Sequence, residues 1–183
     1  STHCISSAAS DVYKRQGDMI MKQEVIVDEN ETGGSLFDKL SALGGSMILS
    51  TLKGLENGTI TRTPQGESGT SYAKMLTKEM GHIDWTKDAV SIERLVRGLN
   101  PWPSAYTRLD GKTLKIWRAN VLPDEKKAAP GCIIKAEKGS FLVQTGDGVL
   151  ELLEVQLEGK KRMTTDAFLN GYTVEEGTYF TRG

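Results

Sequence analysis

The sequence predicts an α+β fold, in which a strand and a long helix precede a five-stranded β-barrel that a short helix closes. Two observations support this prediction. Apolar residues recur at helical spacing between residues 32 and 57, whereas the chain after residue 103 consists of short apolar runs separated by tight turns. Two of these turns contain Asp-Gly, which favours the positive φ angles of a β-hairpin.

The first part of the chain is predicted to contain one strand and two helices. The strand spans residues 19–27, and the long helix spans residues 32–57, which Gly58 can end. One apolar stripe runs along this helix and must pack against another surface; its members are Leu36, Leu40, Leu43, Met47, Leu52 and Leu55. Residues 58–70 are rich in Gly, Thr, Ser and Pro, which is typical of a linker, and a short helix is expected over residues 71–78.

A capped helix is predicted midway along the chain. Thr86 is the expected N-cap and Gly98 the expected end of this helix. One face is apolar and consists of Ile92, Leu95, Val96 and Leu99. The sequence Asn100-Pro101-Trp102-Pro103 then stops the helix. We interpret Trp85 and Trp102 as packing anchors rather than as platforms for base stacking.

Five strands are predicted after Pro103, the number expected of an OB-like barrel. They span residues 105–109, 112–121, 131–136, 140–145 and 149–157. A bulge is expected near Arg118, because strict alternation would place its charge on the apolar face of the second strand. The closing helix is predicted over residues 163–170, with Thr164 or Thr165 as its cap.

Composition limits the possible functions. The chain has 183 residues, with 23 Lys and Arg against 24 Asp and Glu, which argues against an electrostatically dominated nucleic-acid binder but allows contact through a local patch. Two cysteines and two histidines cannot form a disulfide framework or a His-rich metal site. We therefore expect no metal. Because no apolar run reaches membrane-spanning length, we also expect no membrane partner and a cytoplasmic location.

Two groups of basic residues are candidates for a binding surface. Lys160-Lys161-Arg162 directly precedes a predicted helix N-terminus, where free N–H groups favour a phosphate. This run is either a contact to a nucleic-acid backbone or an ordinary solvated turn. Lys112, Lys115 and Arg118 share one strand, but alternation places Lys115 on the opposite face from the other two unless a bulge intervenes.

A set of short motifs follows a fixed order along the chain. They are Gly17-Asp18-Met19-Ile20, Glu31-Thr32-Gly33-Gly34-Ser35-Leu36, Thr70-Ser71-Tyr72-Ala73, Lys78-Glu79, Ile83-Asp84-Trp85, Pro101-Trp102-Pro103, Gly159-Lys160-Lys161-Arg162-Met163 and Gly171-Tyr172. In this order, over about residues 17–176, the sequence resembles the methionyl-tRNA formyltransferase family.

The resemblance implies both an activity and a domain organisation. The family transfers a formyl group from 10-formyltetrahydrofolate to the amino group of methionine on initiator tRNA. Residues 17–64 would be the C-terminal remnant of an α/β catalytic domain, residues 65–80 a linker, and residues 81–183 an OB-like tRNA-binding domain. Because the resemblance falls off sharply at Gly17, residues 1–16 are expected to be a non-native leader on an N-terminally truncated chain.

The family's catalytic Asn, His and Asp are not found in this sequence, since the match begins just after the position of that Asp. We therefore predict no catalytic residue, no bound 10-formyltetrahydrofolate and no formyl transfer by this chain alone. We also expect the apolar stripe of the long helix to be partly uncovered. Contacts to initiator methionyl-tRNA are predicted at Lys78, Lys112, Arg118, Lys160, Lys161 and Arg162, and that of Lys78 rests on the resemblance alone.

Three other interpretations remain open. A sugar-nucleotide formyltransferase and the hydrolase part of formyltetrahydrofolate dehydrogenase share this arrangement of domains, although Pro101-Trp102-Pro103 and the Gly-Lys-Lys-Arg-Met run favour the tRNA enzyme. The third is a non-enzymatic OB-like RNA-binding module. It would require the long helix to pack on the barrel or on a second copy of itself.

Overall fold

The computed structural model describes residues 17–65, 73–123 and 128–180. The chain divides into two compact units. Unit 1 consists of Ser1–Glu31 and Ser35–Leu76, and unit 2 of Thr32–Gly34 and Thr77–Gly183.

Unit 1 contains all but the first two residues of one long helix, α1, which spans Gly33–Glu56 and lies within one residue of its predicted bounds at each end. A polar cluster surrounds Glu31 near the start of this helix. The Lys39 ammonium donates to Glu31 and, at 2.9 Å, to Asp28 Oδ2, and Ser35 Oγ donates to Glu31 Oε1 at 2.5 Å. The Lys39 and Ser35 hydrogen bonds hold the pKa of Glu31 at about 2, so its carboxylate is ionised at neutral pH and ties the entering chain to α1.

The apolar stripe of α1 is partly uncovered, since four of its six members are half-buried and two are exposed. No residue of this helix is buried within the described chain. Leu52 and Leu55 of the stripe, together with Phe37 and Ile48, are exposed. This agrees with the expectation that part of the stripe would lack a covering surface.

The prediction of a strand over residues 19–27 was wrong. Met19 forms only an isolated antiparallel bridge with Thr63, with N···O distances of 2.7 and 2.9 Å, and the described residues that follow it are not in a strand. The apolar run has β-propensity, but a strand also requires a hydrogen-bonding partner along its length. Of the helix predicted over residues 71–78, residues 71–72 lie outside the described residues, residues 73–77 are not helical, and a short 3-10 helix spans Lys78–Gly81 instead.

Unit 2 contains an antiparallel sheet of six strands in its described residues. They are β1 Ala105–Leu109, β2 Lys112–Leu122, β3 Ile133–Glu137, β4 Ser140–Gln144, β5 Val149–Leu157 and β6 Met163–Thr164. Their order is β1-β2-β5-β4-β3, and β6 pairs with β5. The five predicted strands are confirmed, whereas β6 was not predicted. The pairings of the described residues do not themselves close the sheet into a cylinder.

One side of this sheet forms the core of unit 2. All five long strands contribute fully buried side chains to it, including Leu109, Ile116, Ile133, Phe141 and Leu152. The Phe141 ring packs against Phe168 and Phe180, at centroid distances of 6.3 and 6.4 Å. The apolar alternation of each strand therefore builds one shared core.

Two helices flank the sheet. Helix α2 spans Ala89–Gly98 and helix α3 spans Thr165–Gly171. The predicted cap of α2 was wrong: Asp88 is the N-cap, and its Oδ1 accepts from the Ser91 backbone N–H at 2.8 Å. The Thr86 hydroxyl instead donates to Asp84 Oδ1 at 2.6 Å, too early in the chain to reach the helix. Thr164, one of the two predicted residues, caps α3.

The two predicted tryptophan anchors differ. Trp85 is buried, stacks on Phe180 at 5.2 Å and donates from Nε1 to Thr107 Oγ1 at 3.1 Å, which confirms its packing role. Trp102 is 57% exposed, so the prediction for it was wrong. The chain is buried again directly after the tryptophan, at Pro103 and Ser104, and the Trp102 ring is left outside.

Candidate nucleic-acid interface

A β-bulge in β2 shapes the candidate surface. Ile116 pairs with Val155 and Arg118 pairs with Glu154, which leaves Trp117 without a partner in the ladder. Ala119 then pairs with Leu152, so Leu153 is skipped on β5 and the original register is restored. The Asn100 side chain donates from Nδ2 to the Trp117 carbonyl oxygen at 3.2 Å. This hydrogen bond satisfies a carbonyl group at the irregular point of the ladder.

The bulge changes which side chains of β2 share a face. Ile116 and Ala119 are buried, and the two residues between them, Trp117 and Arg118, are not. Lys115 is also turned away from the core, so the bulge places it on the same outer face as Arg118. Without the bulge, alternation would place these two cations on opposite faces.

A hydrogen-bond chain ties this face to the turn after β5. Trp117 Nε1 donates to Gln156 Oε1 at 3.2 Å, and Gln156 Nε2 donates to the Lys160 carbonyl oxygen at 2.9 Å. Both ends of the Gln156 amide are therefore used. The backbone of the basic turn is held beside the bulge of β2.

Two cations also lie close to the Trp117 ring. The Arg162 guanidinium carbon lies 4.9 Å from the ring centroid, and Lys115 Nζ lies 5.8 Å from it. Both distances fall within the range of cation–π attraction. Arg162 is further fixed by Glu154, whose Oε2 accepts from Arg162 Nε at 2.7 Å.

We define the cationic surface as Lys115, Arg118, Lys160, Lys161 and Arg162. Two carboxylates adjoin these five cations, Glu154 and Glu158. The pKa of Glu158 is lowered because the Thr113 backbone N–H donates to its Oε2 at 3.0 Å. Even with both carboxylates ionised, cations outnumber them by five to two, which favours an anionic ligand.

The basic run does not lie at a helix N-terminus, as the sequence had predicted. Strand β6 intervenes, since Met163 pairs with Val155 and Thr164 with Glu154 before α3 begins at Thr165. The first turn of α3 also carries Asp166, whose Oδ1 accepts from the Gly139 N–H at 2.7 Å. Lys160-Lys161-Arg162 must therefore attract an anion by its own charge rather than through the helix.

The six residues predicted for tRNA contact fall into two sets. The structure places Arg162 against Trp117 and Arg118 opposite Glu154, whereas Lys160 and Lys161 lie in the exposed turn that leads to Arg162. Lys112 begins β2 opposite the buried Leu109, and the exposed Lys78 begins the 3-10 helix. Lys78 and Lys112 are not part of the arrangement centred on Trp117.

Sequence reasoning missed Trp117 and Gln156. A bulge was expected near Arg118, and that expectation already implied that a neighbouring residue would turn outward. Gln156, the hydrogen-bond partner of Trp117, could not be found in the same way. It comes close to Trp117 because it pairs with Lys115, and that pairing is known only from the observed register of β2 and β5.

The described residues offer neither a metal centre nor a membrane helix. Within residues 17–65, 73–123 and 128–180, no group of three or more His, Cys, Asp or Glu side chains is placed to hold a metal ion. His82, the only histidine in these ranges, packs edge-on against Tyr106 at 5.5 Å. The described helices include none with the length and apolar character that a membrane crossing requires.

Comparisons with known proteins agree with the resemblance seen in the sequence. The chain is 56% identical over 165 residues to methionyl-tRNA formyltransferase from Agathobacter rectalis, covering 90% of this chain and 53% of that protein. It is 48% identical over 166 residues to methionyl-tRNA formyltransferase from Lachnospira eligens, covering 88% and 53%. The chain thus spans about half the length of the curated relatives it matches.

One solved structure has the same fold, and a known domain family matches part of the sequence. A variant of HypX from Aquifex aeolicus superposes with a TM-score of 0.61 at 18% identity, covering 92% of this chain and 33% of that chain. The family described as "Formyl transferase, C-terminal domain" matches residues 75–173, more than half of the sequence. This chain therefore belongs to the formyl transferase C-terminal domain family.

Proposed function

We propose that this chain is the tRNA-binding part of a methionyl-tRNA formyltransferase, acting in the cytoplasm, and that the cationic surface holds the phosphate backbone of initiator tRNA. In the whole enzyme, the formyl group would pass from 10-formyltetrahydrofolate to the amino group of methionine. Both relatives reported above are methionyl-tRNA formyltransferases, which favours the tRNA substrate over a sugar nucleotide.

The proposal assigns a role to each part of the chain. Residues 17–64 belong to the catalytic domain, residues 65–80 form a linker, and residues 81–183 form an OB-like barrel. A barrel is supported by the core of unit 2, to which all five long strands contribute one face. The proposal gives no catalytic residue and no folate site to the described residues, where the one histidine is packed against Tyr106.

The observation that carries the proposal is the cationic surface itself. A chain with nearly balanced charge has three cations at the bulge of β2 and two more in the turn whose backbone is tied to it, beside two carboxylates. Phosphate contacts by Lys and Arg supply most of the affinity in non-specific nucleic-acid binding. A local patch of this kind suits a partner whose charge is spread along a backbone.

We expect the triple substitution Lys160→Ala, Lys161→Ala and Arg162→Ala to weaken binding of initiator tRNA by about tenfold or more at low salt. Each lost phosphate contact should also lower the slope of log affinity against log salt by about one. Fluorescence anisotropy of labelled tRNA, over about 50 to 200 mM salt, measures both quantities.

The matched control is the double substitution Lys135→Ala and Lys138→Ala, which removes cations from β3 and the turn after it. This variant should bind nearly as well as the parent chain. Equal losses in the two variants would indicate a general charge effect and would contradict a role for the basic turn.

A further inference from the structure

We propose that Trp117 is the positioning residue of a phosphate-binding cluster, in which its indole holds Lys115 and Arg162 ready for one phosphodiester group. This inference rests on the proposed function and makes it more specific. Trp117 contacts both cations and, through Gln156, the backbone of the turn that carries the second one.

The position of Trp117 in the fold supports this role. The ring is on the outer face of β2, away from the core that Ile116 and Ala119 enter. It is half-buried, because it is covered by the side chains that surround it. A large aromatic ring placed outward by a bulge therefore does not serve the core packing of the sheet.

The contacts of the ring explain how two like charges remain together. Lys115 comes from β2, whereas Arg162 follows β5, so no single element fixes their spacing. The negative face of the indole attracts both cations, and Glu154 accepts a hydrogen bond from Arg162. A site that is held in its binding geometry before the ligand arrives loses less side-chain freedom on binding.

The chemistry of the two cations indicates the ligand. Arg162 offers a planar guanidinium that suits paired hydrogen bonds to phosphate oxygens, and Lys115 adds a compact second charge. A stacked nucleobase is the less favoured ligand, because Arg162 already lies 4.9 Å from the ring centroid and would have to be displaced.

Two substitutions at Trp117 test the proposal with initiator tRNA in a salt series. Trp117→Leu should weaken binding about fivefold to tenfold and lower the salt slope by about one, since one phosphate contact loses its geometry. Trp117→Phe keeps a ring for the cations and should retain the parent slope, with affinity within about threefold. Circular dichroism and thermal melting report whether each variant is folded.

Two outcomes overturn the inference, and a third overturns the proposed function. A weaker Trp117→Leu variant with an unchanged salt slope would mean that Trp117 stacks on a base. A Trp117→Phe variant as weak as Trp117→Leu would mean that the hydrogen bond from Trp117 Nε1 to Gln156, which both variants lack, keeps the cations in place and that the face of the ring does not. If the parent chain binds no tRNA at all, the proposed function fails, whatever Trp117 does.

A titration of the unsubstituted chain covers the case in which Trp117→Leu does not fold. On addition of inorganic phosphate, we expect the NMR signals of the Trp117 indole N–H and the Arg162 Nε–H to shift together and to saturate. Absence of these shifts would contradict the cluster. Saturating shifts in a chain that binds no tRNA would support an anion site and reject only the tRNA partner.

Discussion

Replacing Phe141 with alanine is expected to lower the free energy of unfolding of unit 2 by about 3–5 kcal/mol. Phe141 is fully buried, and its ring packs against two other aromatic rings, from α3 and from the C-terminal segment. Removing it leaves a cavity that strands on both sides cannot fill without moving. All three tryptophans lie in unit 2, so denaturant unfolding followed by tryptophan fluorescence reports on this unit.

Val90→Ala is the control for this measurement. Val90 is 42% exposed on α2, and alanine has the higher helix propensity, so stability should change little. A loss of less than about 1 kcal/mol for Phe141→Ala would be too small for a closely packed core position. Such a result would contradict the core described for unit 2.

Replacing Gly146 with alanine is expected to lower the stability of unit 2 by about 2–3 kcal/mol. A Cβ atom at this position would lie 1.9 Å from the Thr86 carbonyl oxygen, which is backbone and cannot rotate away. Gly146 also donates its N–H to the Lys87 carbonyl oxygen at 2.8 Å. The added methyl group would therefore push the β4–β5 turn away from the segment that leads into α2.

Gly98→Ala is the control, because Gly98 has room for a side chain. No atom beyond its chain neighbours and its own helix backbone lies within 4 Å of a Cβ built there. Gly98 is the last residue of α2, where alanine should be tolerated. The same denaturation experiment compares the two variants. If Gly146→Ala were as stable as Gly98→Ala, the close approach at the β4–β5 turn would be wrong.

The sheet of unit 2 was predictable because its turns carry local signals. Asp110, Gly111, Gly139 and Gly148 all have positive φ angles, as tight turns require, and the runs between them are apolar. The bounds of β1 and β5 agree with the prediction at both ends. Local turn chemistry and alternation are therefore sufficient to locate strands that are joined by short connections.

Features that depend on distant partners were not predictable in the same way. The run at residues 19–27 has strand-like composition, but the described structure gives it only a bridge to Thr63. Trp85 and Trp102 both lie close to an end of α2 in the sequence, yet only Trp85 is shown to stack on Phe180. Sequence spacing does not reveal whether a long-range contact exists.

The candidate surface was predicted in part. The basic turn is visible as a run of three charges, but its link to β2 requires the exact pairing of two strands. The local irregularity at Trp117 and Arg118 decides whether Lys115 shares a face with Arg118. Trp117, which contacts both Lys115 and Arg162, carries no charge and so gave no signal in a search for basic residues.

The most direct test of the account is a titration of labelled initiator tRNA with this chain across a range of salt concentrations. We expect measurable binding at about 50 mM salt and an affinity that falls steeply toward about 200 mM, as release of counterions from several phosphate contacts requires. No binding at the low concentration, or an affinity that does not depend on salt, would contradict the claim that the cationic surface around Trp117 holds the tRNA backbone.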